Sequence, residues 1–389
     1  MIKLQQLSTG LLSALMACTG GAIMIITAAK QLDLSSAALL SWMFIVYVAG
    51  GAMNLWLALA YKIPFAGAHS ITAAAFLSMT AVHLSLAELA GGYILAGAII
   101  ALLGVTGIFH KLLQLIPRAL IDAMLAGLIL HYVTGIVPVF QEAPFIAGLS
   151  LIGYFVAPRL SKSIPPLLGV LVFGLIGLMI VYPFPAMVSI PFSLPQPIIP
   201  AFTFNGLLTI AIPLAVLVLT NDLAVALAAL MKNGYRAPSN KAVALSGFGT
   251  IMSGIFGGQA INIGGMMTAL CSSDEAGHHD ERYKAAVVSS IIVILFGLFS
   301  WKLIAVIELL PSYFITMLTG FSLAGVLLGS LQSAFQDTRY KYAALFSFVI
   351  AVSGISFFGI SAAVWSLVAG SAAAKLLGEG GRPLGTNKR

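Results

Sequence analysis

Long apolar runs separated by short polar loops follow one another along nearly the whole chain. A membrane-spanning helix needs about 20 consecutive apolar residues. Runs near that length occupy residues 8–29, 37–60, 92–109, 119–138, 167–188, 208–231, 285–307 and 312–331. Weaker runs occupy residues 66–82, 145–157, 242–256, 259–270, 342–357 and 360–378. The pattern predicts an all-α integral membrane protein with about 14 transmembrane helices, numbered as spans 1 to 14 in chain order.

The proportion of charged residues is too small for a soluble fold. Of the 389 residues, 60% are hydrophobic and only 8% are charged, and the mean hydropathy is +1.05. Ordinary soluble domains carry roughly 25% charged residues. Since so few charges cannot cover so much apolar surface, lipid must surround most of the chain.

The distribution of basic residues supports the number of spans. With a cytoplasmic N-terminus and alternating spans, every Lys and Arg of the 19 except Lys30 and Lys302 falls on the cytoplasmic side. Cytoplasmic loops are enriched in Lys and Arg, and one miscounted helix would reverse every later loop. We therefore expect both termini in the cytoplasm of a bacterial cell, with the chain in the inner membrane. The net charge of +7 follows from this topology, and its spread over short loops argues against a nucleic-acid partner.

The chain divides into two similar halves. Four prolines in "SIPFSLPQPIIPAFTFN", around residues 189–207, exclude a continuous helix and separate two sets of seven spans. Residues 99–127 and 291–320 share an apolar run, a glycine, a basic residue, Ile/Leu-Pro and Met-Leu-x-Gly. Residues 19–32 likewise resemble residues 220–235. Because seven is odd, the second half is inverted in the membrane, as in secondary transporters. The predicted repeats are residues 1–195 and 196–389.

Two polar, broken segments fall at matching places in the two halves. They are "IPFAGAHSITAAAF" in span 3 and "FGGQAINIGGMMTALCSS" in span 10, and the repeat offset sets His69 opposite Asn262. Irregular backbone in a membrane must line a cavity or be buried in protein, and paired breaks indicate a transporter's binding site. Two helix N-termini would then point at one place and favour an anion. The alternative is that the glycines only permit close helix packing. The candidate substrate-binding residues are His69, Ser70, Thr72, Asn221, Gly258, Gln259 and Asn262.

Asp222 lies about halfway along the apolar run of span 8. Ionisable groups within the bilayer are costly and are candidates for function. A carboxyl group there can take up and release a proton, so Asp222 is the predicted proton-coupling residue, with His69 as a second candidate. The alternatives are a structural hydrogen bond for Asp222 and a neutral, satisfied imidazole for His69. Asp122, one turn after Arg118, is predicted to form an interfacial ion pair.

Enzyme signatures are missing from the sequence. It contains no GxxxxGK[ST] phosphate loop and no HExxH or GxSxG motif. We therefore expect no enzyme activity, no cofactor and no metal site, and we expect transport to be driven by an ion gradient, with protons as the coupled ion. The expected partners are a small anionic substrate, protons and membrane lipid. Assembly as a homodimer is an open alternative, because lipid-facing and subunit-facing apolar surfaces look alike in a sequence.

Several segments together resemble the benzoate/proton symporter family (BenE type). They are "YKIPFAGAHSITAAAF", "LLGVTGIFHKLLQLIPRALIDAMLAGLIL", "LTNDLAVALAAL" and "GIFGGQAINIGGMMTALC". The resemblance covers nearly the whole chain and implies uptake of benzoate or a related aromatic carboxylate with a proton. It also implies the seven-plus-seven inverted-repeat fold of uracil and anion transporters. In that fold a core (spans 1–4 and 8–11) moves against a gate (spans 5–7 and 12–14), and spans 1, 3, 8 and 10 surround the substrate.

The sequence departs from the family pattern at the implied substrate contacts. A Trp-Ser-Thr-Pro-Gly run in span 3 is replaced by residues 69–73, and Gln-Asn-Leu-Pro-Gly in span 8 is replaced by residues 221–225. A tyrosine after the Gly-Gly pair is replaced by Gln259. The chain thus loses two aromatic stacking surfaces and gains protonatable groups. A nucleobase or inorganic-anion carrier on the same fold, or a passive channel, stays an alternative.

Overall fold

The computed structural model describes residues 2–80, 84–109, 117–160, 166–185, 192–307, 309–355, 357 and 362–380. Apolar helices follow all fourteen predicted spans, and we label them α1 to α14 accordingly. Those long enough to cross a membrane alone are α1 (Leu4–Gln31), α2 (Ser36–Tyr61), α4 (Leu86–Thr106), α5 (Arg118–Glu142), α8 (Phe204–Lys232) and α12 (Ser312–Gln336). The shorter helices are α3 (Ile71–Thr80), α6 (Pro144–Leu160), α7 (Pro166–Val181), α9 (Ser239–Ile255), α10 (Gly265–Ser272), α11 (Tyr283–Leu298), α13 (Lys341–Ser353) and α14 (Ala362–Leu376). A further short helix, Ser300–Ile307, follows α11 within span 11.

Local sequence signals explain where individual helices begin and end. The Ser85 hydroxyl accepts from the Glu88 backbone N–H at 3.3 Å, and the Glu88 carboxylate accepts from the Ser85 backbone N–H at 3.0 Å. This reciprocal capping box starts α4, and Gly107 in the left-handed conformation (φ +71°) ends it. Lys62 (φ +54°) after α2 and Gly257 (φ +77°) after α9 are also left-handed.

Spans 3 and 10 are the predicted broken spans. Helix α3 has 10 residues and α10 has 8, which at about 1.5 Å per residue is far less than a bilayer's thickness. Non-helical backbone precedes each of them, at residues 62–70 and 256–264. The prediction of short helices behind extended lead-ins is therefore confirmed.

The first helix of each half contains a π-helical turn. In α1 this turn is Ala17–Gly21, and at the matching place in α8 it is Val218–Leu223; α8 has a further π-helical turn at Leu207–Ala211. Thr19 and Thr220, which the repeat pairs with each other, donate to the carbonyls four residues earlier at 2.6 and 2.7 Å. π-helical turns often mark functional sites. The two halves thus share a local irregularity as well as their hydropathy.

The helices pack in two groups. In one group, α2 packs against α11, α4 against α9, and α1 against α3, α10 and α11. In the other, α5 packs against α12 and α13, α6 against α7, and α13 against α14. Glycines bring several of these pairs close together: a Cβ on Gly153 of α6 or Gly169 of α7 would overlap the other's backbone.

The proline-rich segment between the halves has no helix in its described part, residues 192–203. Its backbone is held by neighbours instead: Ile198 N donates to the Ile255 carbonyl at 2.7 Å and Ala201 N to the Ala87 carbonyl at 2.9 Å. Residues 189–191 of this segment, residues 186–188 before it and residues 110–116 of the first repeat motif lie outside the described residues.

Candidate functional site

The extended segments before α3 and α10 lie side by side and antiparallel. Ser70 N donates to the Ala260 carbonyl at 3.1 Å, and Asn262 N donates to the Ala68 carbonyl at 3.2 Å. Gly264 N donates to the Ala66 carbonyl at 3.0 Å, and an isolated β-bridge pairs His69 with Ile261. The two broken spans meet as the sequence predicts, with His69 one residue from its expected position opposite Asn262.

Glycines allow this close approach. A Cβ on Gly67 would overlap the backbone of Asn262 and Gly264, and a Cβ on Gly50 of α2 would overlap the Ala68 carbonyl. Buried backbone groups need hydrogen-bond partners where no water or ladder supplies them. Side chains from neighbouring helices donate these hydrogen bonds. Asn54 donates to the Asn262 carbonyl at 3.0 Å, Thr250 to the Ile261 carbonyl at 3.2 Å, and Thr268 to the Ala66 carbonyl at 2.9 Å.

A cavity of about 320 Å³ lies where α3 and α10 begin. Helices from both packing groups line it: α1, α3, α8 and α10 on one side and α5 and α12 on the other. Its polar residues are His69, Thr72, Arg118, Asp122, Asn221, Asp222, Ser330 and Ser333. Its apolar walls include Met16, Ile71, Leu125, Val225, Met266, Met267 and Val326. A concave, mostly apolar cavity with a few polar groups is the usual form of a small-molecule site.

Asp222 lies on the π-helical turn of α8 and is only 9% exposed. The Ser70 hydroxyl donates to its Oδ2 at 2.5 Å, and Ser70 Oγ in turn accepts from Ala73 N at 3.0 Å. Thr72 Oγ1 lies 3.0 Å from Ser70 Oγ. No Lys or Arg in the described part of the chain forms an ion pair with Asp222. The carboxyl group therefore accepts a hydrogen bond from the Ser70 hydroxyl and forms no ion pair within the described residues.

A chain of hydrogen bonds fixes the imidazole of His69. The Tyr47 hydroxyl donates to the Ala17 carbonyl at 2.7 Å, so it must accept from His69 Nε2–H at 3.0 Å. His69 Nδ1 then accepts from Gln259 Nε2 at 3.0 Å, and the Gln259 amide is oriented because its Oε1 accepts from Trp42 Nε1. This assignment of protons from the network makes His69 neutral. Since neither ring nitrogen is free, the geometry does not support the predicted proton-coupling role of His69.

The two halves carry different residues at the same position of the repeat. The match between residues 19–32 and residues 220–235 pairs Gly21 with Asp222. A Cβ on Gly21 would lie 2.8 Å from His69 Nε2. The missing side chain in the first half makes room for the imidazole, while the second half supplies a carboxyl group to Ser70.

The other predicted residues divide between the cavity and its support. Asn221 lines the cavity, and its buried Nδ2 has no hydrogen-bond partner among the described residues. Gln259 is fully buried behind His69 and supports it. Asn262 is fully buried and does not line the cavity; its side chain is near Asp222 but outside hydrogen-bond geometry.

Gly258, a predicted substrate-binding residue, is not among the residues that line the cavity. A Cβ on Gly258 would lie 2.6 Å from Ile45 and 2.9 Å from Val46, both on α2. Gly258, in the non-helical segment after α9, thus packs closely against α2, as the alternative interpretation of these glycines expects, and its contact with a substrate stays a prediction.

Several cavity residues were not singled out as ligand-binding residues from the sequence. Arg118 Nε and Asp122 Oδ2 form the predicted ion pair at 3.5 Å, but Asp122 is only 4% exposed and both residues line the cavity. Ser333 of α12 donates to Asp122. An Arg directly after a proline, with an Asp four residues later, indicates the start of a helix. This pattern does not indicate which side of the helix faces a cavity.

Fold and site together define a multi-pass membrane transporter. The transmembrane domain of the cyanobacterial bicarbonate transporter BicA is 17% identical in sequence, with a TM-score of 0.63 over 96% of this chain and 97% of that chain. The structure of SLC26A9 is 15% identical, with a TM-score of 0.64 over 96% of this chain and 64% of that one. The chain has the inverted-repeat fold of these transporters.

Sequence comparison identifies the family. The profile of the BenE family, benzoate membrane transport protein, matches residues 1–376, and the chain belongs to that family. The inner membrane protein YdcO of Escherichia coli is 31% identical over 369 residues, 94% of this chain and 93% of the relative. The benzoate membrane transport protein of Acinetobacter baylyi is 28% identical over 367 residues, 93% of this chain and 92% of the relative.

Proposed function

We propose that this protein carries benzoate or a related aromatic carboxylate in symport with a proton, by alternating access. The observation that carries the proposal is the position of Asp222. This residue lines a cavity where two broken helices begin, and its carboxyl group has no basic partner among the described residues. The name of the Acinetobacter baylyi relative and the apolar walls of the cavity support an aromatic acid as the substrate.

The beginnings of α3 and α10 provide donors for a carboxylate. The first backbone N–H groups of a helix have no partner within the helix, and the end carries partial positive charge. Ile71 and Thr72 of α3 and Gly265 and Met266 of α10 all line the cavity. Together with the unpartnered amide of Asn221, these groups would bind the carboxylate, and the apolar walls would contact the ring.

Asp222 couples the proton to the anion through charge. Two negative charges a few ångströms apart repel strongly where water is scarce. An ionised Asp222 therefore opposes binding of a carboxylate, whereas a protonated Asp222 can donate a hydrogen bond to it. The loaded site then carries one negative charge instead of two, which lowers the cost of moving it through the membrane.

We propose that the two packing groups are the moving parts: a core of α1–α4 and α8–α11, and a gate of α5–α7 and α12–α14. The cavity lies between them, so a shift of one group against the other would open it. Among the described residues, hydrogen bonds join the groups from Thr27 to Thr319 at 2.8 Å and from Tyr132 to Ser78 at 2.5 Å. The basic-residue distribution assigns the Arg118 end of the cavity to the cytoplasm, so these bonds would close the outer side.

Transport by the purified chain in proteoliposomes tests the proposal. With an inside-alkaline pH gradient, labelled benzoate should accumulate above its external concentration, with saturation and with loss of the effect when a protonophore is added. A thermal-shift series of aromatic acids, nucleobases and inorganic anions identifies the substrate independently. Passive, non-saturating flux would indicate a channel, and stabilisation by nucleobases or inorganic anions alone would exclude an aromatic acid.

A further inference from the structure

Two glycines on α12 form a bare part of the cavity wall. Gly325 and Gly329 are four residues apart, so they lie one above the other on the same face of the helix. Both line the cavity, and a Cβ built on either would meet no atom within 4 Å. The space in front of this face is therefore open.

A glycine that serves packing shows the contrast within α12 itself. A Cβ on Gly320 would lie 2.7 Å from the Tyr132 carbonyl of α5. The side chain is absent at Gly320 because a neighbouring helix occupies its place. At Gly325 and Gly329 no neighbouring helix does so, and their effect is to leave volume in the cavity.

The cavity that these glycines face also contains a group that indicates a ligand. Asn221 lines the same cavity, and its buried Nδ2 has no hydrogen-bond partner in the described part of the chain. Because a buried donor without a partner is unfavourable, this amide favours a ligand with an acceptor. The part of the cavity that would bind the carboxylate and the open wall formed by Gly325 and Gly329 therefore belong to one site.

We propose that Gly325 and Gly329 form the surface against which the ring of the substrate lies, and that they limit the size of ring the carrier accepts. This inference rests on the proposed function and specifies the selectivity of the same site. Without side chains, a flat ring can contact the helix backbone directly. A single methyl group on either glycine would project into the volume that the ring occupies.

Binding of a graded series of aryl carboxylates to the purified protein tests the inference. The series runs from benzoate through 4-alkylbenzoates to 2-naphthoate, with Kd measured for wild type, Gly325→Ala and Gly329→Ala. Because one methylene changes discrimination by about 10- to 200-fold, the Kd ratio of the larger acids to benzoate should rise at least about tenfold in the variants. Alanine favours helix over glycine, so both variants should fold.

Gly148→Ala is the matched control, because a Cβ at Gly148 of α6 also meets nothing within 4 Å and Gly148 does not line the cavity. This variant should leave the Kd values of the whole series unchanged. Unchanged Kd ratios in both α12 variants would overturn the inference while leaving the proposed function intact. An equal loss of affinity for every acid would also overturn it. Wild-type protein that binds none of the acids would contradict the proposed function and, with it, the inference.

Discussion

The Ser70 hydroxyl donates to Asp222 Oδ2 at 2.5 Å and so joins the break before α3 to the π-helical turn of α8. The two residues are 152 positions apart and belong to opposite halves of the repeat. Ser70 also caps α3 by accepting from Ala73 N. A change in the charge of Asp222 therefore acts directly on the end of the helix that would bind the anion.

Replacing Asp222 by Asn should separate proton coupling from binding. The amide has nearly the same shape and cannot release a proton. We expect uphill accumulation of substrate under a pH gradient to fall to the level without a gradient, while exchange of labelled for unlabelled substrate continues. Both are measured in the same proteoliposomes.

Asp122→Asn is the matched control, since Asp122 lines the same cavity but is paired with Arg118. It should retain uphill accumulation. Full proton-driven accumulation by Asp222→Asn would remove Asp222 from the coupling role.

The loop between α10 and α11 should give the protein an acid-sensitive contact. Hydrogen bonds from Lys284 and Lys3 lower the pKa of Glu281 from 4.5 to about 2. A carboxylate with a lowered pKa stabilises the folded state above its unfolded pKa, and this contribution is lost as pH falls from about 5 towards 2. Thermal unfolding in detergent should therefore show a smaller loss of stability over this range for Glu281→Gln than for wild type. An equal acid-induced loss in the two proteins would contradict this assignment.

The close approach of α2 to the broken segment should make Gly50 intolerant of a side chain. A Cβ there would overlap the Ala68 carbonyl, which is backbone and cannot rotate away. Overpacking of this kind costs about 1–3 kcal/mol, so Gly50→Ala should lower the midpoint of thermal unfolding. Gly148→Ala, with open space at its Cβ, should not. Equal midpoints for the two variants would show that the segment can move aside.

The fourteen spans and the two breaks could be predicted because hydropathy, proline and glycine report directly on where a helix can continue. The meeting of the breaks followed from the repeat offset, which sets residues 63–76 against the segment that includes Gln259. The hydrogen bonds that hold the imidazole of His69 could not be predicted in this way. Helix α2 is apolar on all sides, so its sequence does not show that Trp42 and Tyr47 face the break. The same limit applies to Gly258, because glycine pattern alone cannot distinguish a packing contact from a cavity wall.

The hydrogen bonds of His69 should make it a positioning residue for the cavity. Tyr47→Phe removes the hydroxyl that accepts from His69 Nε2–H and donates to the Ala17 carbonyl. Leaving a buried donor unsatisfied costs about 1–3 kcal/mol. We expect the apparent substrate affinity to fall by about tenfold, since 1.4 kcal/mol corresponds to a factor of ten. The proton-to-substrate ratio should stay unchanged, because the proposed proton site is Asp222.

Tyr93→Phe is the control for Tyr47→Phe. The Tyr93 hydroxyl is equally buried, on α4, but has no hydrogen-bond partner among the described residues, so its removal should leave affinity and stability unchanged. His69→Gln completes the test, because an amide can replace one of the imidazole's two hydrogen bonds but cannot carry a proton at neutral pH. We expect this variant to bind substrate weakly and still accumulate it uphill. If His69→Gln instead lost uphill accumulation and kept exchange, His69 would be the residue that carries the proton. The neutral imidazole inferred from the Tyr47 and Gln259 hydrogen bonds would then describe only one step of the transport cycle.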